Sequence, residues 1–254
     1  MDEAATVELH VHRWGVGQDK RALLVHGVAA NGDVWWRVAE QLAAAGYEVW
    51  APDLRGHGRS PASSSYRFAD FAADLQALGD EWDLLVGHSL GGPICCTLLA
   101  TGVRATRTVL VDPVLEIADE DLEDVVTAQV AEADPVAMPA TFAEANPRWH
   151  PLDAHAKAAA ARAVSAWTVE QAIRQNAPWH HLPLADALQM PTVLLGADPE
   201  VFALLPPEQG EALAATLPDA RFEVVSGTGH GIQREDPDAV VRAALGDGAE
   251  APGS

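Results

Sequence analysis

Short apolar runs alternate with stretches of helical periodicity along most of the chain. The runs RALLVHG (21–27), YEVWAPD (47–53), DLLVGHS (83–89), TVLVDPV (108–114), MPTVLLG (190–196) and RFEVVSG (221–227) each read as a buried strand. Helices are predicted over Val34–Gly46, Phe68–Leu78, Leu90–Gly102 and Ile232–Leu245. Strands this apolar, alternating with helices, predict an α/β fold: a mostly parallel sheet covered by helices on both faces. VELHVHRW (7–14) is the only candidate for a strand ahead of these.

One segment breaks the alternation. Residues 116–187 hold no convincing strand, are rich in alanine, and are punctuated by Pro135, Pro139, Pro147, Pro151, Pro178 and Pro183. This pattern predicts a helical lid inserted between two strands. The expected organisation is a core of 1–115 and 188–246, a lid of 116–187, and a disordered tail of 247–254. Trp149, Trp167 and Trp179 of the lid either pack it onto the core or line a pocket. The same choice applies to Trp35, and to its neighbour Trp36.

Charge and cysteine content narrow the function classes. The 254 residues carry 37 acidic and 16 basic side chains, a net charge of −21. Such a surface repels phosphate backbones, so no nucleic-acid partner is expected. No apolar run approaches the roughly 20 residues of a membrane span, so no membrane partner is expected either. The two cysteines, Cys95 and Cys96, are adjacent and poorly suited to a mutual disulfide. With no signal peptide at the start, a cytoplasmic protein is expected, as monomer or homodimer.

The chemistry begins at Gly87-His88-Ser89-Leu90-Gly91, a G-x-S-x-G pattern between a predicted strand and a predicted helix. So tight a turn needs positive φ at the serine, and side chains two residues either side would collide there. Glycine at 87 and 91 removes the collision. The turn lifts the Ser89 hydroxyl clear of the sheet and aims the Leu90 amide at a developing oxyanion.

With LLVHG (23–27), APDLRGHGRS (51–60), GHSLGG (87–92) and GTGH (227–230) in this order, the chain resembles the α/β-hydrolase fold superfamily over nearly its whole length. The resemblance implies Ser89 as nucleophile and the amides of Val28 and Leu90 as the oxyanion hole. It gives His26 a loop-organising role. The family usually opens with a two-stranded hairpin, and here its first strand is expected to be missing.

Ten histidines compete for the role of base. His88 adjoins Ser89, but neighbouring side chains diverge in a tight turn. His57, like Asp53, is expected to fix local backbone. His10 and His12 share a strand face but lack a third partner for a metal. His150, His155, His180 and His181 fall in the lid. His230 remains, in a glycine-rich loop after the last strand, with the chain order serine, acid, histidine.

The acid is less legible. After MPTVLLG the chain reads Gly196-Ala197-Asp198-Pro199-Glu200, with proline where the family's G-x-x-D pattern has aspartate. Asp112, ending the preceding strand, is preferred; Asp198 is the second candidate and Glu200 the third. The expected function is a serine hydrolase acting on a small-molecule carboxylic ester or lactone through an acyl-enzyme, with no metal or organic cofactor. Thioester hydrolysis, cleavage of carbon–carbon bonds and perhydrolysis stay open with the same residues. So does a weakly catalytic or non-catalytic binding protein on the same scaffold.

Overall fold

The computed structural model of the chain describes residues 5–246. The strands are β1 (Val11–Trp14), β2 (Lys20–Val25), β3 (Tyr47–Pro52), β4 (Glu81–His88), β5 (Arg104–Val111), β6 (Thr192–Ala197) and β7 (Ala220–Val225). They form one seven-stranded sheet in the order β1-β3-β2-β4-β5-β6-β7. β1 is antiparallel to β3, and the remaining neighbours pair in parallel. Among the described residues the family's opening hairpin is thus reduced to a single strand, β1, laid on β3.

Helices α1 (Trp36–Ala44), α2 (Phe68–Gln76), α3 (Gly91–Ala100), α4 (Leu122–Val130), α5 (Pro139–Ala145), α6 (Pro151–Ala163), α7 (Ala166–Arg174), α8 (Pro207–Thr216), α9 (Ile232–Glu235) and α10 (Pro237–Leu245) complete the fold. Successive strand residues point to opposite faces. Leu23, Leu85, Leu110 and Leu194 therefore pack with Phe71 and Leu75 of α2 and Ile94 and Leu98 of α3. Ala22, Leu24, Leu84, Val86, Val109 and Val111 pack with Val38 and Leu42 of α1 and Val240 of α10. Because both faces are covered, the strands read as continuous apolar runs rather than alternating ones. Each fully buried leucine contributes about 2 kcal/mol, so the C-terminal ends of the central strands are a rigid platform.

The single helix expected over 232–245 is two. Pro237 removes a backbone donor and forces Asp236 out of helical geometry, to φ −142°. The Asp236 carboxylate then caps α10 by accepting from the Ala239 amide at 3.0 Å.

Helices α4–α7 lie between β5 and β6, as the alanine-rich segment predicts. The neck of this insertion is pinned where it leaves and returns. Glu116 bridges His180, the Ile117 amide donates to Trp179 O (3.1 Å), and the His181 amide donates to Leu115 O (2.8 Å). The segment 247–254, expected to be a disordered tail, lies outside the described residues. Among the described residues no helix is long and apolar enough to cross a membrane.

Candidate active site

Ser89 follows the last residue of β4 with φ +54°, in the left-handed region the motif requires. The glycines act as the steric argument expects. A Cβ on Gly87 would stand 2.5 Å from Gly91 O, and one on Gly91 would stand 2.3 Å from Val25 O. Both obstacles are backbone and cannot move aside. Holding a serine at this φ costs about 1–3 kcal/mol, met by the packed strands on either side.

The β4–β5 register pairs His88 with Val111, which sets Ser89 level with Asp112. The Ser89 amide donates to Val111 O at 3.1 Å, and the Asp112 amide donates to Leu195 O on β6 at 2.7 Å. Asp112 too has positive φ, +39°, which aspartate tolerates better than most residues. Its carboxylate is fully buried. It accepts from the amides of Leu204 (3.0 Å), Leu205 (3.0 Å) and Ala197 (3.4 Å). Its Oδ2 also receives His230 Nδ1 at 2.7 Å. Ser89, Asp112 and His230 thus converge at one end of β4, β5 and β6.

The other carboxylates are placed elsewhere. Asp198 spends its oxygens on the amides of Gly227 (2.6 Å) and Glu200 (2.9 Å), which hold its carboxyl below the usual range. It closes the turn after β6 onto the histidine loop. Glu200 is exposed.

His88 has a function that sequence reasoning missed. Its Nε2 donates to His230 O at 2.9 Å, and Gln233 Nε2 donates to its Nδ1 at 3.3 Å. Burial, with the nearby His230 and Arg234, pushes its pKa well down. A neutral ring with the proton on Nε2 satisfies both bonds. The histidine beside the serine therefore holds the backbone of His230. A hint was available: a histidine pointing away from the serine in so tight a turn must point at whatever packs beneath it.

His26 organises the turn after β2. Its Nδ1 donates to Gly27 O (2.7 Å) and its Nε2 accepts from the Leu54 amide (3.0 Å), with burial lowering its pKa to about 3. The amides of Val28 and Leu90 donate to no backbone or side-chain acceptor among the described residues. His10 and His12 gain the partner the sequence lacked. Their ring nitrogens and an Asp53 oxygen lie within 4.8 Å of one another. His12, however, already bridges Asp33 and Asp53, at 2.9 Å each. Asp53 also accepts from the amides of Gly32 and Arg59, both at 2.8 Å. That arrangement is a local clamp, as expected for Asp53. His57 likewise bonds locally, to Arg55 O at 3.0 Å.

A cavity of about 330 Å³ lies beside Ser89, lined by Val28 and Leu90 and, from the insertion, by Val125 and Ile173 among others. Of the five tryptophans weighed for substrate contact, Trp179 lines it. The other four do not, Trp36 being bonded through Nε1 to Asp153 at 2.8 Å. Trp35 is fully buried in the core, edge-on to His88 at 6.4 Å. Trp149 lies under the Arg234 guanidinium. Trp167 is 48% exposed and packs edge-on against Tyr66. An unforeseen aromatic, Phe202, lines the cavity and stands edge-on to His230 at 6.2 Å. No spacing rule singles it out, because it lies in an irregular loop.

With this geometry in view, the model of a known family, the Alpha/beta hydrolase family, matches residues 22–243. The chain belongs to the alpha/beta hydrolase family. Among curated relatives, a lipase, LipV, of Mycobacterium tuberculosis is 35% identical over 133 residues, half of each chain. A protein named as a putative non-heme chloroperoxidase of Synechocystis is 38% identical over 120 residues, 44% of this chain and 43% of the relative. This alpha/beta hydrolase thus spans about half the length of the curated relatives it matches. Among solved structures, a thermophilic esterase of Thermogutta terrifontis superposes with TM-score 0.74 at 27% identity, covering 93% of this chain and 91% of that one. A bromoperoxidase of Bacillus anthracis superposes with TM-score 0.77 at 20% identity, covering 95% of each, a likeness of fold.

Proposed function

We propose that the protein is a serine hydrolase cleaving a carboxylic ester or lactone by two-step acyl transfer. The observation that carries this reading is the 2.7 Å bond from His230 Nδ1 to Asp112, level with the strained Ser89. The buried carboxylate keeps the Nδ1 proton in place, leaving Nε2 free to accept a proton. Ser89 Oγ attacks the carbonyl carbon as its proton passes to His230 Nε2. The amides of Val28 and Leu90 bind the oxyanion. Collapse expels the alcohol, which takes the proton from His230, and water then releases the acid by the same steps in reverse. The cavity walls of Val114, Ile117, Ile173 and Trp179 suit an apolar acyl group.

The relatives named lipase and esterase favour an ester over a thioester or a carbon–carbon bond. The relative named chloroperoxidase favours a second outcome on the same intermediate. Hydrogen peroxide in place of water would release a peracid.

The test is a fluorophosphonate probe with peptide mass spectrometry. Rapid, single labelling of Ser89 that is lost in His230→Ala is expected. A folded wild-type protein that takes no label would overturn the reading in favour of a binding protein on this scaffold.

A further inference from the structure

Phe202 stands outside both core layers. Its neighbours do the packing: Leu205 is fully buried, and Ala203 lies against the layer that holds α1 and α10. Phe202 itself is 57% exposed, yet its backbone is tied down on two sides. Its amide donates to Asp198 O at 3.0 Å, and it bridges Gly229 of the histidine loop. Just beyond it, the amides of Leu204 and Leu205 hold the Asp112 carboxylate at 3.0 Å each. In each of these bonds the loop around Phe202 takes part through its backbone. The loop therefore needs no aromatic side chain at 202 to keep its shape, and leaving so large an apolar surface in water is unfavourable. Packing of the fold does not account for a phenylalanine here.

Its place does. The ring lines the cavity beside Ser89 and stands edge-on to His230, with 6.2 Å between centroids. In acyl transfer the imidazole that takes the serine proton returns it to the leaving oxygen. That oxygen must come within about 3 Å of the imidazole, so the group it carries lies beside His230. Among the described residues Phe202 and Trp179 are the aromatic side chains of the cavity lining. Trp179 packs against Phe68 and His181, whereas Phe202 meets the catalytic imidazole. Glu116 and Asp121 in the same lining oppose an anionic group.

We propose that Phe202 is the specificity-determining residue for the alcohol half of the substrate, and that this alcohol is aromatic and bears no anionic group. Its ring packs offset or edge-to-face on Phe202 and covers apolar surface that the fold leaves open. The inference rests on the serine-hydrolase reading and names the leaving group within it.

The experiment uses the acyl-enzyme as a common intermediate. The protein is given para-nitrophenyl butanoate with equal concentrations of benzyl alcohol and 1-propanol, and the two butanoate esters formed are measured. In each transfer the alcohol oxygen bonds to the acyl carbon, its proton passes through His230 to Ser89 Oγ, and the bond from Oγ to the acyl carbon breaks. Because the acyl group is the same, the ratio of benzyl to propyl ester reports the alcohol site alone. That ratio is expected to fall on the order of fivefold in Phe202→Ala. Phe202→Leu, which keeps apolar bulk and loses the ring, should fall between. The preference between para-nitrophenyl butanoate and para-nitrophenyl hexanoate should not change. A side chain that merely supports the loop would slow both transfers together and leave the ratio alone. An equal ratio in wild type and Phe202→Ala overturns the proposal. So does a shifted acyl-length preference with an unmoved alcohol ratio, which would put Phe202 on the acyl side. Fluorophosphonate labelling of Ser89 tells this failure from that of the parent reading. Labelled protein with an unmoved ratio loses only the alcohol assignment; unlabelled protein that forms no ester loses both.

Discussion

At the scale of single residues, the candidate site turns on which carboxylate holds His230. Asp112 has the geometry: full burial, amide donors from Ala197, Leu204 and Leu205, and the histidine itself. Asp112→Asn puts an amide NH₂ where those donors point and removes the charge that stabilises an imidazolium. Esterase kcat is expected to drop by roughly three to four orders of magnitude. Asp198→Asn, which touches only the Gly227 and Glu200 amides, should keep kcat near wild type with a modest fall in Tm. Steady-state kinetics and melting curves on the pair check this, and an Asp198→Asn protein as inactive as Asp112→Asn would reverse the assignment. The sequence pointed to Ser89 because the elbow is local, readable from glycines two residues away, and to His230 by elimination among ten histidines and by chain order. It left Asp112 and Asp198 open because the deciding contact joins residues 118 positions apart. It missed the purpose of His88 for the same reason, and Phe202 because that residue lies in an irregular loop.

At the scale of elements, the apolar runs located the strands, while the tie among β1, the turn after β2 and β3 was invisible. That tie is His12, whose two nitrogens meet Asp33 and Asp53. Asp53 in turn receives the Gly32 amide, so His12 helps anchor the segment that follows Val28. Burial alone would lower the His12 pKa, but the hydrogen bonds to Asp33 and Asp53 outweigh it and raise the value from 6.5 to about 9. A base whose pKa is raised on folding contributes stability that is whole below pH 6.5 and is lost as pH climbs through about 9. His12→Asn should therefore cost about 1–2 kcal/mol near pH 6. The penalty should shrink toward zero by pH 10, about one unit above the folded-state value. Urea unfolding of both proteins at the two pH values tests the sign. A penalty that grows with pH would show that His12 is neutral in the folded protein and that the clamp is not ionic.

At the scale of the whole molecule, the helical insertion reaches back to the chemistry through one side chain. Lys157 of α6 is buried and donates from Nζ to Ala29 O at 3.0 Å. Ala29 has φ +50°, a conformation alanine resists, and it directly follows Val28. The neighbouring Trp36–Asp153 bond docks the same helix one turn earlier. The insertion thus does more than wall the cavity: it is bonded to a strained loop that, on the proposed mechanism, presents the Val28 amide. Lys157→Met keeps the length and apolar stem of the side chain and removes the donor. Glu132, the ionic partner, is 42% exposed and can turn to water, so no buried charge is orphaned. The lost bond to Ala29 O should let the loop relax. Because an oxyanion donor acts mainly in the transition state, the loss should fall on kcat, by on the order of tenfold, with KM little changed. Fluorophosphonate labelling of Ser89, which passes through the same charged geometry, should slow in parallel. A rise in KM at constant kcat would instead mean that Lys157 serves only to close the cavity. The insertion would then act on substrate binding and leave the oxyanion loop to shape itself.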